Sequence, residues 1–262
     1  MIEGFRDRLR GGETLHGTLL NLPSAAVAEV LAGAGFDWLF IDTEHGAIGT
    51  SALVSILQAV DRDLACVVRV PTLEAGAIKR VLDLGAAGII VPQVETGEEA
   101  ARAVRFARYA PDGERGMGLA RAHGYGFAFS DYVARANDEI AVVIQVEHAR
   151  AVENIDAIAA VAGLDAVFIG PYDLSASLGH PGDIGHPAVV AAIDRVTRCC
   201  RAAGMPLGIF GADADAVASY AKRGYTLICA GVDCLLLGLG ARQLKQKLNA
   251  IEGETNSDRE TG

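Results

Sequence analysis

Eight short apolar runs, each followed by a helix-length segment, constrain this chain more than any other feature. They are TLLNL (18–22), WLFIDT (38–43), ACVVRV (65–70), GIIVPQV (88–94), AVVIQV (141–146), AVFIG (166–170), PLGIF (206–210) and LICAGV (227–232). Runs of this length, apolar throughout rather than alternating, read as parallel strands buried on both faces. Parallel neighbours need crossover connections, and the segments between the runs supply them. SALVSILQAV, TGEEAARAVRFARYA and PAVVAAIDRVTRCCRAAG carry helical spacing, and several such segments stop at glycine. Residues 1–250 show no break in composition, so the pattern predicts a single α/β domain, a (β/α)8 barrel, with an open doubly wound sheet as the alternative. The first strand-to-helix junction, NLPSAAV, lacks the GxGxxG fingerprint of dinucleotide sites. Residues 251–262 are polar and turn-rich, and are expected to form a disordered tail.

Charge and thiol usage narrow the partners. A formal net charge of −10 is the wrong sign for a nucleic-acid surface. The N-terminal MIEGFRDRLRGG is charged rather than apolar, and CLLLGLGA is too short to cross a bilayer. Neither a membrane nor a nucleic acid is expected as a partner. The five cysteines are odd in number, sit in apolar contexts and include no CxxC pair. Free thiols in a reducing cytoplasm are the expectation.

In such a barrel, function gathers at the C-terminal ends of the strands. Those ends collect Asp42, Glu44, His45, Arg69, Gln93, Gln145, Glu147 and Asp173. Glu147 and Asp173 follow neighbouring strands and would share one edge. Either could merely cap the next helix. Together, with Gln145 one inward step before Glu147, they suggest a seat for a hard divalent cation such as Mg²⁺ or Mn²⁺. Two protein ligands leave positions for water or a chelating 2-oxo acid, whose carboxylate the backbone N–H groups at 172–175 could hold. His45, beside carboxylates, suits a general acid or base. Arg69 ends an apolar strand and needs a partner. That partner is Asp42 or Glu44 in an ion pair, or a developing oxyanion, and these roles are compatible.

Two further features bear on the chemistry. The four lysines, Lys79, Lys222, Lys245 and Lys247, fall in helical segments and not at strand ends, so Schiff-base catalysis is disfavoured. The loops after the last two strands read GADADA and GVDC, acidic where barrels usually bind phosphate. Residues 111–138 exceed the usual connection length and are rich in glycine and aromatics. They are expected to pack on another subunit and reach its site.

Taken together, FDWLFIDTEHGA, VVRVP, IKRVLDLGAAGIIVPQVE, PDGERG, VIQVEHARAVENIDAIAAVAGLDAVFIGPYDLSASLG and GIF resemble the HpcH/HpaI family of metal-dependent 2-oxo acid aldolases. The likeness runs from about residue 14 to 248. It implies a (β/α)8 barrel assembled as a homohexamer, a trimer of dimers. It also implies carbon–carbon bond cleavage or formation through a pyruvate enolate held by Mg²⁺, Mn²⁺ or Co²⁺. Carried over by motif, His45 would be the base, acting through water, and Arg69 the residue that stabilises the transition state. Asp83 would support the histidine, from a neighbouring subunit, with Asp42 sharing that task. Gln145 and the backbone at Tyr172 would contact substrate, beside the N–H groups through Ser175 read above, and Glu147 and Asp173 would hold the metal. His148 departs from the family, which commonly has a small hydroxyl residue there. The expected reaction splits a 4-hydroxy-2-oxo acid into pyruvate and an aldehyde. The alternatives are a lyase for CoA-linked or bulkier acids and a non-catalytic 2-oxo-acid-binding protein.

Overall fold

The structure is a computed structural model that describes residues 4–260, with side chains through residue 251. Its eight strands close into a parallel barrel in chain order. They are β1 (Leu15–Leu20), β2 (Trp38–Asp42), β3 (Ala65–Arg69), β4 (Gly88–Val91), β5 (Ala141–Val146), β6 (Ala166–Ile169), β7 (Leu207–Gly211) and β8 (Leu227–Val232). The closed barrel excludes the open-sheet alternative. β1 begins three residues before its apolar run, and β4 stops ahead of Pro92, which has no N–H to offer a ladder.

Twelve helices are described: α1 (Phe5–Arg10), α2 (Ala25–Ala32), α3 (Thr50–Val60), α4 (Ala75–Asp83), α5 (Gly97–Ala107), α6 (Phe129–Glu139), α7 (Ala149–Glu153), α8 (Ile155–Ala159), α9 (Pro171–Ser177), α10 (Pro187–Ala202), α11 (Ala214–Lys222) and α12 (Asp233–Glu260). The crossover after β5 forms two short helices, α7 and α8, that meet at Asn154. There the backbone leaves helical geometry and the side-chain Nδ2 donates to the Glu95 carbonyl at 2.9 Å. The expected disordered tail falls on the end of α12. Its side chains from residue 252 onward, and residues 261–262 altogether, lie outside the described residues.

Two apolar layers hold the barrel. One lies between the strands and the helices. The other fills the barrel, where Trp38, Phe40 and Phe168 pack with ring centroids 5.7 to 6.3 Å apart. Gly17 and Gly208 face these rings, and a Cβ at either position would collide with Trp38 or Phe168. The N-terminal end is plugged by α1, whose Phe5 and Leu9 join the inner layer. Arg6 of that helix pairs with the fully buried Asp165 at 2.8 Å, and Arg108 reaches the same carboxylate at 3.2 Å. Packed and plugged below, the barrel is left with polar chemistry at its upper rim.

Candidate active site

Register brings the first pair of rim residues together. Asp42 and Arg69 are direct partners at the ends of β2 and β3. The Arg69 guanidinium forks onto both oxygens of Asp42, Nε to Oδ1 at 2.9 Å and Nη2 to Oδ2 at 2.6 Å. Burial alone would raise the Asp42 carboxyl, but the Arg69 guanidinium and the N–H groups of Glu44 and His45 hold it below the usual carboxylate range. Burial likewise opposes the Arg69 charge, and Asp42 more than offsets it. The remaining nitrogen, Nη1, points across the barrel, 3.2 Å from Glu44 Oε2 and 3.5 Å from Gln145 Oε1. Arg69 is therefore anchored on one side and free to meet a ligand on the other.

The second cluster sits on the far side of the rim. Gln145, on β5, points inward and its amide donates a short hydrogen bond to Glu147 Oε2. The backbone N–H of Gln93 donates to the other oxygen, Oε1, at 2.7 Å. Gly170 makes room for this approach, because a Cβ there would stand 2.8 Å from Gln145 Nε2 and 3.1 Å from Glu147 Oε2. Asp173 enters from the first turn of α9. Burial pushes the Glu147 carboxyl up, and although Gln93 and Gln145 pull it back, Asp173 and Glu44 repel its charge. Glu44 is raised as well, chiefly by burial, and its buried Oε2 accepts no aligned hydrogen bond. Crowded carboxylates with a stray acceptor make a donor set that a hard cation would relieve. Among the described residues no three His, Cys, Asp or Glu side chains form a closed cage. Glu147 and Asp173 offer oxygen ligands of the kind a divalent ion takes, beside a cavity that leaves positions for water or substrate.

Two cavities meet at this seat. The inner one, about 120 Å³, has apolar walls that include Leu19, Phe40, Phe168 and Phe210, with Arg69 and Gln145 among its polar lining. The outer one, about 310 Å³, is lined by Glu44, Gln93, Glu95, Glu147, His148 and Asp173, among others. His45 and Asp173 border both. The His45 side chain is 64% exposed, with Nε2 3.8 Å from Glu44 Oε2.

Within one chain, three of the expected site residues have other partners. Asp42 does not hold the His45 ring, since its oxygens are taken by Arg69 and by the backbone N–H groups of Glu44 and His45. Ser175 lies one turn into α9, where backbone N–H groups serve the helix itself. Its buried hydroxyl donates to the Tyr172 carbonyl at 2.6 Å and accepts the Gly182 N–H at 2.9 Å, so it braces the loop. Asp83 ends α4, on the opposite side of the barrel from the rim, and pairs with Arg115 at 2.8 Å. Tyr172 does stand at the inner cavity, its ring 6.3 Å from Phe210. The Gln93 N–H was not legible in the sequence, because a backbone donor leaves no residue signature.

Crowded carboxylates and an anchored arginine thus share the top of a closed parallel barrel. The model of the HpcH/HpaI aldolase/citrate lyase family matches residues 16–238. A hydroxypyruvate/pyruvate aldolase of Paraburkholderia phytofirmans is 42% identical over 254 residues, 94% of this chain and 97% of the relative. A 4-hydroxy-2-oxovalerate aldolase of Rhodococcus jostii is 43% identical over 238 residues, 90% of this chain and 92% of the relative. A crystal structure of a family protein from Burkholderia cenocepacia superposes with a TM-score of 0.90 at 42% identity, covering 94% of this chain and 99% of that one. The chain belongs to the HpcH/HpaI aldolase/citrate lyase family and is a carbon–carbon lyase.

Proposed function

We propose that this protein cleaves 4-hydroxy-2-oxo acids into pyruvate and an aldehyde, and joins them in reverse. The observation that carries the reading is the row Arg69, Gln145 and Glu147, hydrogen-bonded in sequence and facing Asp173 across the seat. Glu147 and Asp173 would hold a divalent ion of the Mg²⁺, Mn²⁺ or Co²⁺ class, which would supply a Lewis acid for the 2-oxo group. Gln145 and the Tyr172 backbone orient the substrate's 2-oxo acid end. His45, exposed between the two cavities, takes the C4 hydroxyl proton, directly or through water, as the C3–C4 bond breaks. Negative charge then grows on the pyruvate enolate within reach of Arg69 Nη1, a donor already aimed by the Asp42 fork. The test is cleavage of 4-hydroxy-2-oxopentanoate by metal-stripped and Mn²⁺-restored protein. Activity that EDTA leaves intact contradicts the metal's part in the reading, and turnover of CoA thioesters alone contradicts the substrate.

The same reading includes a homo-oligomer, a hexamer built as a trimer of dimers. Its support is apolar surface in two places. On α12, Leu235, Leu236, Leu237, Leu239, Leu244 and Leu248 are all exposed, and the helix reaches only β1 and β8 appreciably. In the connection before β5, Met117, Leu119, Tyr125 and Phe127 are exposed, Phe127 to 99%. Exposed apolar area of this extent marks association surfaces. Asp83, at the far end of its own barrel, would reach a His45 only across such a boundary. A cytoplasmic location completes the proposal, supported by five free cysteines. Among the described residues no helix is long and apolar enough to cross a membrane.

A further inference from the structure

Among the described residues, Gln93 is one of two non-glycine residues with positive φ, at +53°. L-residues rarely adopt this left-handed conformation, and asparagine and glycine tolerate it far better than glutamine. Its own side chain does not impose it. That side chain is exposed and makes no hydrogen bond among the described residues.

The neighbours impose it instead. Val94, next in the chain, is buried in the core at 1% exposure. The N–H groups of Glu95 and Thr96 both donate to Glu99 Oε2, at 2.8 and 3.1 Å, and the Thr96 hydroxyl accepts the Glu99 N–H to close a capping box. Asn154, at the break between α7 and α8, donates to the Glu95 carbonyl at 2.9 Å. A loop tied at so many points can hold a residue in a conformation it would otherwise leave. The product of that conformation is one contact, the Gln93 N–H on Glu147 Oε1 at 2.7 Å. With Gln145 on Oε2, the Glu147 carboxylate is oriented from both sides while Gly170 keeps the approach open.

We propose that Gln93 is a positioning residue whose left-handed backbone, not its side chain, aims Glu147 at the divalent ion. The inference rests on the proposed role of Glu147 as a ligand and adds to it the device that sets the carboxylate's direction. Outer contacts of this kind typically change metal affinity about 10- to 100-fold when lost.

The test is Mn²⁺ affinity of the metal-stripped, full-length protein, read by electron paramagnetic resonance of free Mn²⁺, for Gln93→Gly, Gln93→Asn, Gln93→Ala and Gln93→Val. Near-UV circular dichroism and melting of the metal-free proteins report folding separately. Glycine and asparagine accept the left-handed backbone and should bind Mn²⁺ within about threefold of the wild type. Valine resists it and should bind about 10- to 100-fold more weakly, while alanine, unbranched like glutamine, should bind as the wild type does. Should Gln93→Val fail to fold, Gln93→Thr, β-branched as well, carries the same comparison. Equal affinity across the series, or an affinity lost in Gln93→Gly, overturns the inference while leaving the metal seat in place. A wild-type protein that takes up no Mn²⁺ overturns the metal reading itself, and this inference with it.

Discussion

Arg69 shows how one side chain can be both structural and reactive. Its fork onto Asp42 uses two nitrogens and leaves the third toward the ligand cavity. Lysine at this position keeps the charge but cannot reproduce the fork. Arg69→Lys is therefore expected to lower kcat about 100-fold with the fold intact, as steady-state kinetics and circular dichroism would show. His45→Ala should lower kcat about 100- to 10,000-fold while pyruvate binding, measured by calorimetry, is retained. Unchanged turnover would contradict its role as base. Glu147 makes a pH prediction. Burial raises its carboxyl in the folded, metal-free protein, so its charged form opposes folding and its protonated form does not. Stability tied to this group is present below the ordinary carboxylate range and is lost as pH rises through the raised value. Glu147→Gln should therefore melt higher than the wild type at neutral pH without metal, and the two should converge in acid. Added Mn²⁺ should reverse the order at neutral pH by stabilising the wild type alone. A metal-free wild type that melts above Glu147→Gln at pH 7 contradicts this assignment.

At the scale of elements, helix ends and loop braces aim the rim. Asp42 was visible as a strand-end acid, but its role in fixing Arg69 follows from register, which the sequence leaves unstated. Glu147 and Asp173 were legible because a buried apolar run that ends in a carboxylate must deliver it to the rim. The break at Asn154 and the left-handed turn at Gln93 were not legible, since both depend on contacts between loops distant in sequence. Helix α1 escaped for a similar reason. Its buried Phe5 and Leu9 are hidden among charges, and buried Arg6 finds its partners far along the chain, in Asp165 at the base of β6 and the carbonyls of Asn137 and Asp138. The far side holds a second built feature. Arg115 lies 4.5 and 5.7 Å from the ring centroids of Tyr109 and Tyr132 and pairs with Asp83. Arg115→Ala leaves a half-buried Asp83 and the Tyr132 hydroxyl without their partner and should destabilise the protein by about 1 to 3 kcal/mol in denaturant unfolding. Loss below about 1 kcal/mol would show that the pair is not what holds this end together.

For the whole molecule, the strand–helix alternation predicted the barrel but left an open sheet as the alternative, and the pairing of β1 with β8 decides between them. The alternation did not reveal where the surface stays apolar. In sequence CLLLGLGA is only an apolar run too short to cross a bilayer; in the structure Leu235, Leu236, Leu237 and Leu239 of that run are exposed on α12. Leu236→Glu combined with Leu239→Glu should shift sedimentation toward smaller species, and an unchanged coefficient would argue against α12 as an association surface. Asp83 stands out from resemblance alone, and its place beside Arg115 makes any catalytic part depend on that assembly. The most direct measurement is pyruvate release from 4-hydroxy-2-oxopentanoate by EDTA-stripped protein titrated with Mn²⁺. Turnover should rise from background to saturation in the wild type and stay at background in Glu147→Ala and Asp173→Ala, both folded. Full turnover without metal, or wild-type Mn²⁺ response in either variant, would contradict a divalent seat on these two carboxylates.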